Sequence, residues 1–209
     1  FVYVEPSALK AVCRYVFRDL DARYVISIGA DDRQFSGKFL VFHDFAFDKD
    51  KILCSIITEA SADNPKVDCI SDIIPGASWA EREISDMFGI ESVGHPYPKR
   101  LILPDGWPDG LHPLRKDMDW NHVPKDFDET REFKFGETPP GCTVVPFGPF
   151  HPTLDEPAHF RLYVEGEVVR GCEYRGFMVH RGIEKLSETV LSYNDIPMMA
   201  ERICGICGC

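Results

Sequence analysis

Long apolar runs are missing from this sequence: none approaches the roughly 20 residues that a helix needs to cross a bilayer, and the first residues carry no signal-peptide pattern of charged, apolar and small residues. The reading therefore expects membrane association only through partners. Positive charge is in short supply, with 23 Lys and Arg against 34 Asp and Glu and a net charge of −11. That balance excludes nucleic acid as a partner, because neutralising phosphates takes a basic face. A disulfide framework is also lacking, although there are eight cysteines; they fall at 13, 54, 69, 142 and 172 before a final cluster at 204, 207 and 209. Cys13 and Cys54 lie within apolar patterns and read as reduced core residues, so a reducing compartment is expected. What is present suffices to fold, since 44% apolar and 12% aromatic residues over 209 positions support one ordinary core or two small ones.

Taken in order, the chain opens with Leu9, Val12, Cys13, Val16, Phe17 and Leu20 recurring at three and four. This spacing predicts a helix from Pro6 to Leu20 with Ser7 as its cap. Strands follow: Tyr24 to Ile28 ends at Gly29, and Phe39 to Phe47 and Ile52 to Thr58 flank Asp48-Lys49-Asp50 as an antiparallel hairpin. The pattern is α+β, with a meander and no alternating crossovers. A second helix is marked by Ser78 and Glu81 as a capping box, by Ala80, Ile84, Met87 and Phe88 on one face, and by Gly89 at its C-terminal end. Glu81, Arg82, Glu83 and Asp86 form the opposite face, read as a solvated surface or as a docking element. His95 and His112 each precede proline and read as turn or packing residues.

From Met118 to Gly141 the sequence turns polar and mixed in charge with no apolar period, which predicts a linker over 121–141; a surface loop within one domain is the alternative. Beyond it, Phe160, Leu162 and Val164 alternate before the Glu165-Gly166 turn into Val168 and Val169, a hairpin that would present the loop from Gly148 to Glu156. Glu184 opens a helix containing Leu186 and Val190, a position the helix dipole favours for a carboxylate. Asp195 is expected to cap a short helix through Pro197, Met198 and Met199. That helix leads into Cys204 and Cys207, two thiols three positions apart. As thiolates they are soft ligands for iron, nickel, zinc or copper(I), and Arg202 would favour the thiolate form. A zinc knuckle or a redox dithiol has the same spacing, but structural zinc wants four ligands and no second Cys-x-x-Cys exists.

The run Arg202-Ile203-Cys204-Gly205-Ile206-Cys207-Gly208 resembles the amino-terminal cysteine motif of the large subunit of nickel-iron hydrogenases. Gly148-Pro149-Phe150-His151-Pro152 and His180-Arg181-Gly182-Ile183-Glu184-Lys185 precede it. This order is found in the membrane-bound, energy-converting hydrogenases of the formate hydrogenlyase type and in the related 49-kDa quinone-site subunit of complex I. Upstream, the run from Trp79 to Ile90, then Gly94-His95-Pro96, Arg100 to Asp105 and Pro113-Leu114-Arg115-Lys116-Asp117 are similar to the signature of the 30-kDa subunit of complex I. That segment is a docking and scaffold element, from which interaction is carried over and no catalysis.

The resemblance implies a 30-kDa-subunit-like α+β domain over 1–120, with an N-terminal helix and an antiparallel meander. A linker over 121–141 would join it to the N-terminal hairpin and helices of a mainly helical large-subunit-like domain over 142–209. It further implies that Cys204 and Cys207 are nickel and iron ligands, that Glu156 relays protons, and that Glu184 ligates an accessory divalent metal. His151, His180, Arg181 and Arg202 would line the pocket. Iron-sulfur clusters would sit in a small partner subunit, alongside membrane ion-translocating and electron-donor subunits, with the assembly peripheral on the cytoplasmic face of the cell membrane. The family completes its metal site with a second cysteine pair, and it usually places a histidine after the first, where Cys209 stands here. The expectation is thus the leading part of a fused hydrogenase large subunit, or a truncated form kept for assembly. Three functions stay open: a hydrogen-evolving enzyme, an electron-transfer subunit of complex I type, and a non-catalytic scaffold. The electron donor, whether formate, ferredoxin or carbon monoxide oxidation, is also open.

Overall fold

A computed structural model describes residues 1–154 and 156–203. The chain divides into two compact units, Phe1–Arg100 with Gly110–His122, and Leu101–Asp109 with the chain from Val123 onward.

In unit one, β1 (Val2–Tyr3) and α1 (Leu9–Arg18) are followed by β2 (Arg23–Asp31), β3 (Lys38–Phe47) and β4 (Ile52–Ser61), then β5 (Lys66–Asp68), α2 (Ser78–Phe88) and β6 (Glu91–Val93). The four-stranded sheet runs in the order β1-β4-β3-β2. Its meander is antiparallel, whereas β1, which the sequence reading missed, adds to β4 in parallel. Strand β3 shows why this segment is a strand: Phe39, Val41, His43 and Phe45 alternate and are all buried, as the period-two geometry of a pleated strand requires. Leu9, Cys13 and Val16 form the buried stripe of α1, each full burial contributing about 1.5–3 kcal/mol for a side chain of Leu or Val size. Burial pushes the Cys13 thiol up to about 12, so it is an inert core thiol.

The caps differ from the expected ones. Neither Ser7 nor Ser78 closes its helix with a side-chain bond, because α1 and α2 each continue directly from a short 3₁₀ turn, Pro6–Ala8 and Pro75–Ala77. Glu81 instead accepts the Ile70 amide at 2.6 Å. Gly89 does end α2 in the left-handed conformation, at φ +71°.

The charged face of α2 is interior, which removes the solvated-surface reading: Glu81, Arg82 and Asp86 are all buried. The physical reason is the proline-rich loop, which lies on this face and supplies its partners. Arg82 donates to the carbonyls of Lys99 at 2.6 Å and Arg100 at 3.0 Å, the Leu114 amide donates to Met87 O, and Arg115 donates to Phe88 O at 2.7 Å. His95 and His112 are packing residues, His95 against Ser78 and His112 on the Asp86 carbonyl at 2.9 Å.

The same loop ties down the end of β2. Asp31, its side chain 1% exposed, accepts from the Arg33 guanidinium at 2.6 and 2.8 Å and from the Lys116 amide at 2.8 Å. Burial alone would raise this carboxyl, but the Arg33 side chain and the Lys116 and Arg33 amides outweigh it and hold it down at about 2. A depressed carboxylate contributes stability that is present above its unfolded pKa and lost as pH falls through its folded one. The Asp31 contribution is therefore complete above about pH 4 and disappears towards pH 2. Asp31→Asn is expected to lose about 2 kcal/mol at pH 7, from ~1.4 kcal/mol per pKa unit. Urea unfolding at a series of pH values should show the gap between wild type and variant closing between pH 4 and pH 2; parallel curves would refute the assignment.

Unit two is built on a three-stranded antiparallel sheet in the order β7-β8-β9, comprising β7 (Thr143–Phe147), β8 (His159–Glu165) and β9 (Val168–Arg175). The expected hairpin is β8-β9, and β7 extends it. Rings from all three strands meet on one face: Phe160 lies 6.1 Å from Phe147 and 5.0 Å from Tyr174, the cross-strand pairing that stabilises a sheet of this size. Two short helices follow, α3 (Ile183–Thr189) and α4 (Ile196–Ala200). Asp195 stands at the N-cap position of α4 without a side-chain cap bond; its carboxylate accepts the Ser192 amide and hydroxyl. Residues 123–141 contain no helix or strand but are anchored within unit two. The Asp128 amide donates to Gly106 O at 2.9 Å, Arg131 forms a two-pronged ion pair with Asp109 at 3.0 Å, and the Gly136 amide bonds the Glu173 carboxylate at 2.9 Å.

Candidate functional site

The residues singled out from the sequence converge in unit two. Beyond β9 the chain turns at Phe177, whose carbonyl accepts the His180 amide, and then enters α3. This geometry places His180 one turn before Glu184, with its Nε2 3.2 Å from Glu184 Oε2. The hydrogen bond from His180 is the largest influence on the Glu184 carboxyl and lowers it against the opposing effect of burial. Glu184 is thus held ionised, as suits a carboxylate in the first turn of a helix.

His180, Arg181 and Glu184 line a cleft of about 460 Å³ together with Glu156, Phe177 and Ile203. Its lining is apolar with a few convergent polar groups, the usual make-up of a small-molecule or cofactor site. Glu156 is exposed at this cleft. Arg181 reaches across it and donates to the backbone carbonyls of Arg202 at 2.8 Å and Ile203 at 3.5 Å. The chain segment that precedes the thiol pair in sequence is therefore held at the same cleft.

Two of the expected pocket residues are placed otherwise. His151 lines a different cleft, of about 430 Å³, with Phe150, Pro152, Leu154 and Pro157. Its ring sits 4.0 Å from that of Phe147, and its Nδ1 bonds Thr153. Arg202 offers its carbonyl to Arg181, while its guanidinium lies 3.5 Å from Glu201. Cys204 and Cys207 lie outside the described residues. Among the described residues no group of three or more His, Cys, Asp and Glu is arranged to hold a metal ion. Cys13, Cys54, Cys69, Cys142 and Cys172 are free thiols and none lines the cleft. The described residues therefore do not make up the ligand set of a nickel-iron centre, and Glu184 stands with His180 alone as a candidate for an accessory metal.

One residue that shapes this unit escaped the sequence reading. Arg175, at the end of β9, is 9% exposed and donates to Leu101 O at 2.7 Å, Leu103 O at 3.3 Å and Gly176 O at 3.1 Å, and to Asp105 at 3.1 and 3.2 Å. The only hint in the sequence was a cation at the last position of a strand, which is commonplace.

No described helix is long and apolar enough to cross a membrane. The first unit is thus a mixed α+β domain with a helix whose charges face inward onto a proline-rich loop, and the second carries a cleft beside the segment that leads to a thiol pair. Such a domain defines an oxidoreductase-complex subunit of the 30-kDa type, and the chain belongs to the family of the respiratory-chain NADH dehydrogenase 30-kDa subunit, whose signature matches residues 2–123. Over its length it is similar to hydrogenase-4 component G of Escherichia coli, at 39% identity across 99% of this chain and 38% of that protein. It is likewise similar to formate hydrogenlyase subunit 5 of the same organism, at 38% identity across 99% of this chain and 37% of that one. The C/D fusion protein of an NADH-quinone oxidoreductase from Phocaeicola vulgatus is 33% identical over 68% of this chain and 30% of its own length. The chain thus spans well under half the length of these relatives.

Proposed function

We propose that this chain is part of a membrane-associated nickel-iron hydrogenase complex that reversibly reduces protons to hydrogen, with electrons supplied by a partner dehydrogenase or ferredoxin. Within it, the 30-kDa-like domain is fused to the amino-terminal part of a large-subunit-like domain. The observation that carries this reading is the extent of similarity: the two relatives named for hydrogenase and formate hydrogenlyase match 99% of the chain, through both units.

A nickel-iron centre, when bound, supplies the splitting and formation of hydrogen. On this reading Cys204 and Cys207 contribute half of its ligands, and the electrons travel through iron-sulfur clusters in a small partner protein. The chain's other residues shape the surroundings. Arg181 grips the backbone that leads to Cys204. Glu184 keeps a negative charge on the cleft wall, and Glu156, exposed at the cleft, is placed to exchange a proton with water. The 30-kDa-like domain docks partner subunits, including those that reach the membrane.

A complex I-type electron-transfer role is the second reading, favoured by the NADH-quinone oxidoreductase relatives. The two are separated by purifying the native complex through a tag on this chain and assaying hydrogen-dependent reduction of a viologen dye beside NADH-dependent quinone reduction. Dye reduction under hydrogen, with nickel co-purifying, is expected. NADH oxidation without any hydrogen-dependent activity would overturn the hydrogenase reading.

A further inference from the structure

Unit one encloses a chamber of about 60 Å³ against α2, walled by Glu81, Ser85 and Asp86 from the helix, Ser92 from β6, and His95 and Arg100 from the loop. Glu81 lines it with a side chain that is 3% exposed. One carboxylate oxygen, Oε1, accepts the Ile70 amide at 2.6 Å. The other, Oε2, has no hydrogen-bond partner among the described residues. A buried carboxylate oxygen without a donor costs at least about 1–3 kcal/mol, so something must meet it.

His95 is the nearest candidate and does not serve. Its Nε2 lies 3.7 Å from Oε2, beyond hydrogen-bond range, and both ring nitrogens are committed elsewhere. Nδ1 accepts the Tyr97 amide at 2.9 Å, so in the neutral ring Nε2 carries the hydrogen, and that nitrogen faces Ser78 O at 3.2 Å and Ser78 Oγ at 3.1 Å. Burial favours the neutral form of both groups, raising the Glu81 carboxyl and lowering the His95 imidazole. Protonation alone still leaves Oε2 unsatisfied, because its hydroxyl would then need an acceptor. The group that meets Oε2 has to donate to it when ionised and accept from it when protonated. Water does both.

Size and charge agree. A water needs on the order of 10–15 Å³ of space for its centre, so the chamber admits at least one. A metal or ammonium ion is disfavoured, because Arg82, Lys99 and Arg100 line the same chamber and already balance Glu81, Asp86 and Glu91. We propose that this chamber is an internal hydration site, in which ordered water bonds Glu81 Oε2 and joins α2 to the 92–100 loop. The site lies wholly in the 30-kDa-like unit and does not depend on the hydrogenase reading.

A crystal structure of the full 209-residue chain at about 1.5 Å, grown in a rubidium salt, tests it. Expected is a non-anomalous density peak at roughly 2.6–3.2 Å from Glu81 Oε2, the range of a hydrogen bond. No density in the chamber, a protein donor on Oε2, or an anomalous rubidium peak would each overturn it. A solution measurement runs in parallel on Glu81→Gln, which keeps the acceptor for Ile70 and turns an NH2 group towards the chamber. Cross-relaxation between that NH2 group and a long-lived water is expected, and its absence in a folded variant would count equally against the site.

Discussion

Replacing Arg175 by leucine is expected to destabilise unit two by about 3–5 kcal/mol, the range for removing one partner of a buried ion pair. The magnitude follows from what the guanidinium does. It is the common donor to Leu101 O, Leu103 O and Asp105, so a single side chain fastens the 101–109 segment to the end of β9. Its charge is 10% exposed and its carboxylate partner 22%, so water can replace these bonds only after the segment moves. Its guanidinium also lies over the Phe133 ring at 5.6 Å. Hydrogen exchange checks this locally. Amides of β8 and β9 should exchange at least about a hundredfold faster in Arg175→Leu, at 1.4 kcal/mol per factor of ten, while those of β3 keep their wild-type rates. Arg175→Lys should recover part of the loss, since an ammonium keeps the charge but not the planar fork. A change below tenfold in the leucine variant would show that the latch is dispensable.

Gly148→Ala is expected to cost roughly 3 kcal/mol or more, because strain and overlap act together at that position. Gly148 has φ +93°, outside the region that L side chains adopt readily. A Cβ there would run into the carbonyl oxygen of Ala158, a backbone atom held by the β8 pairing that begins at His159. The neighbouring contact is already made, as the Ala158 amide donates to Pro149 O at 3.2 Å. Relief would therefore open the loop from Gly148 to Glu156 and displace the cleft's Glu156. Urea unfolding of the variant should show the drop, and Pro152→Ala in the same loop serves as the control. Equal stability of Gly148→Ala and wild type would mean that the loop yields freely.

Much of unit one was legible because its signals are local. Helix α1 announced itself by a stripe at three and four, β3 by strict alternation, and the end of α2 by Gly89, where a left-handed residue is needed and a Cβ would collide with His112 and Arg115. The charged face of α2 was misread for an equally physical reason. Glu81, Arg82 and Asp86 show helical spacing on the side opposite Ile84 and Met87, which is how a solvated face looks. Only the distant proline-rich loop, folded back with its carbonyls and cations, makes that face an interior. Asp31 gave no signal either, since its partner amide at Lys116 is 85 positions away.

In unit two, the chemistry of individual residues was legible and their grouping was not. The motifs named Glu156, His180, Arg181 and Glu184, and the turn after β9 brings these four to one cleft. His151 belongs to a motif of equal prominence, yet the loop between β7 and β8 sets it in a different cleft against Phe147. The sequence by itself determined the element types, the thiol spacing and the family, because periodicity, turn chemistry and motif order depend on neighbours within a few positions. Tertiary structure alone decided which charges are buried, which histidine joins the cleft, and which arginine latches the sheet. Those outcomes depend on bonds between residues that sequence distance keeps apart, 74 positions in the case of Arg175 and Leu101.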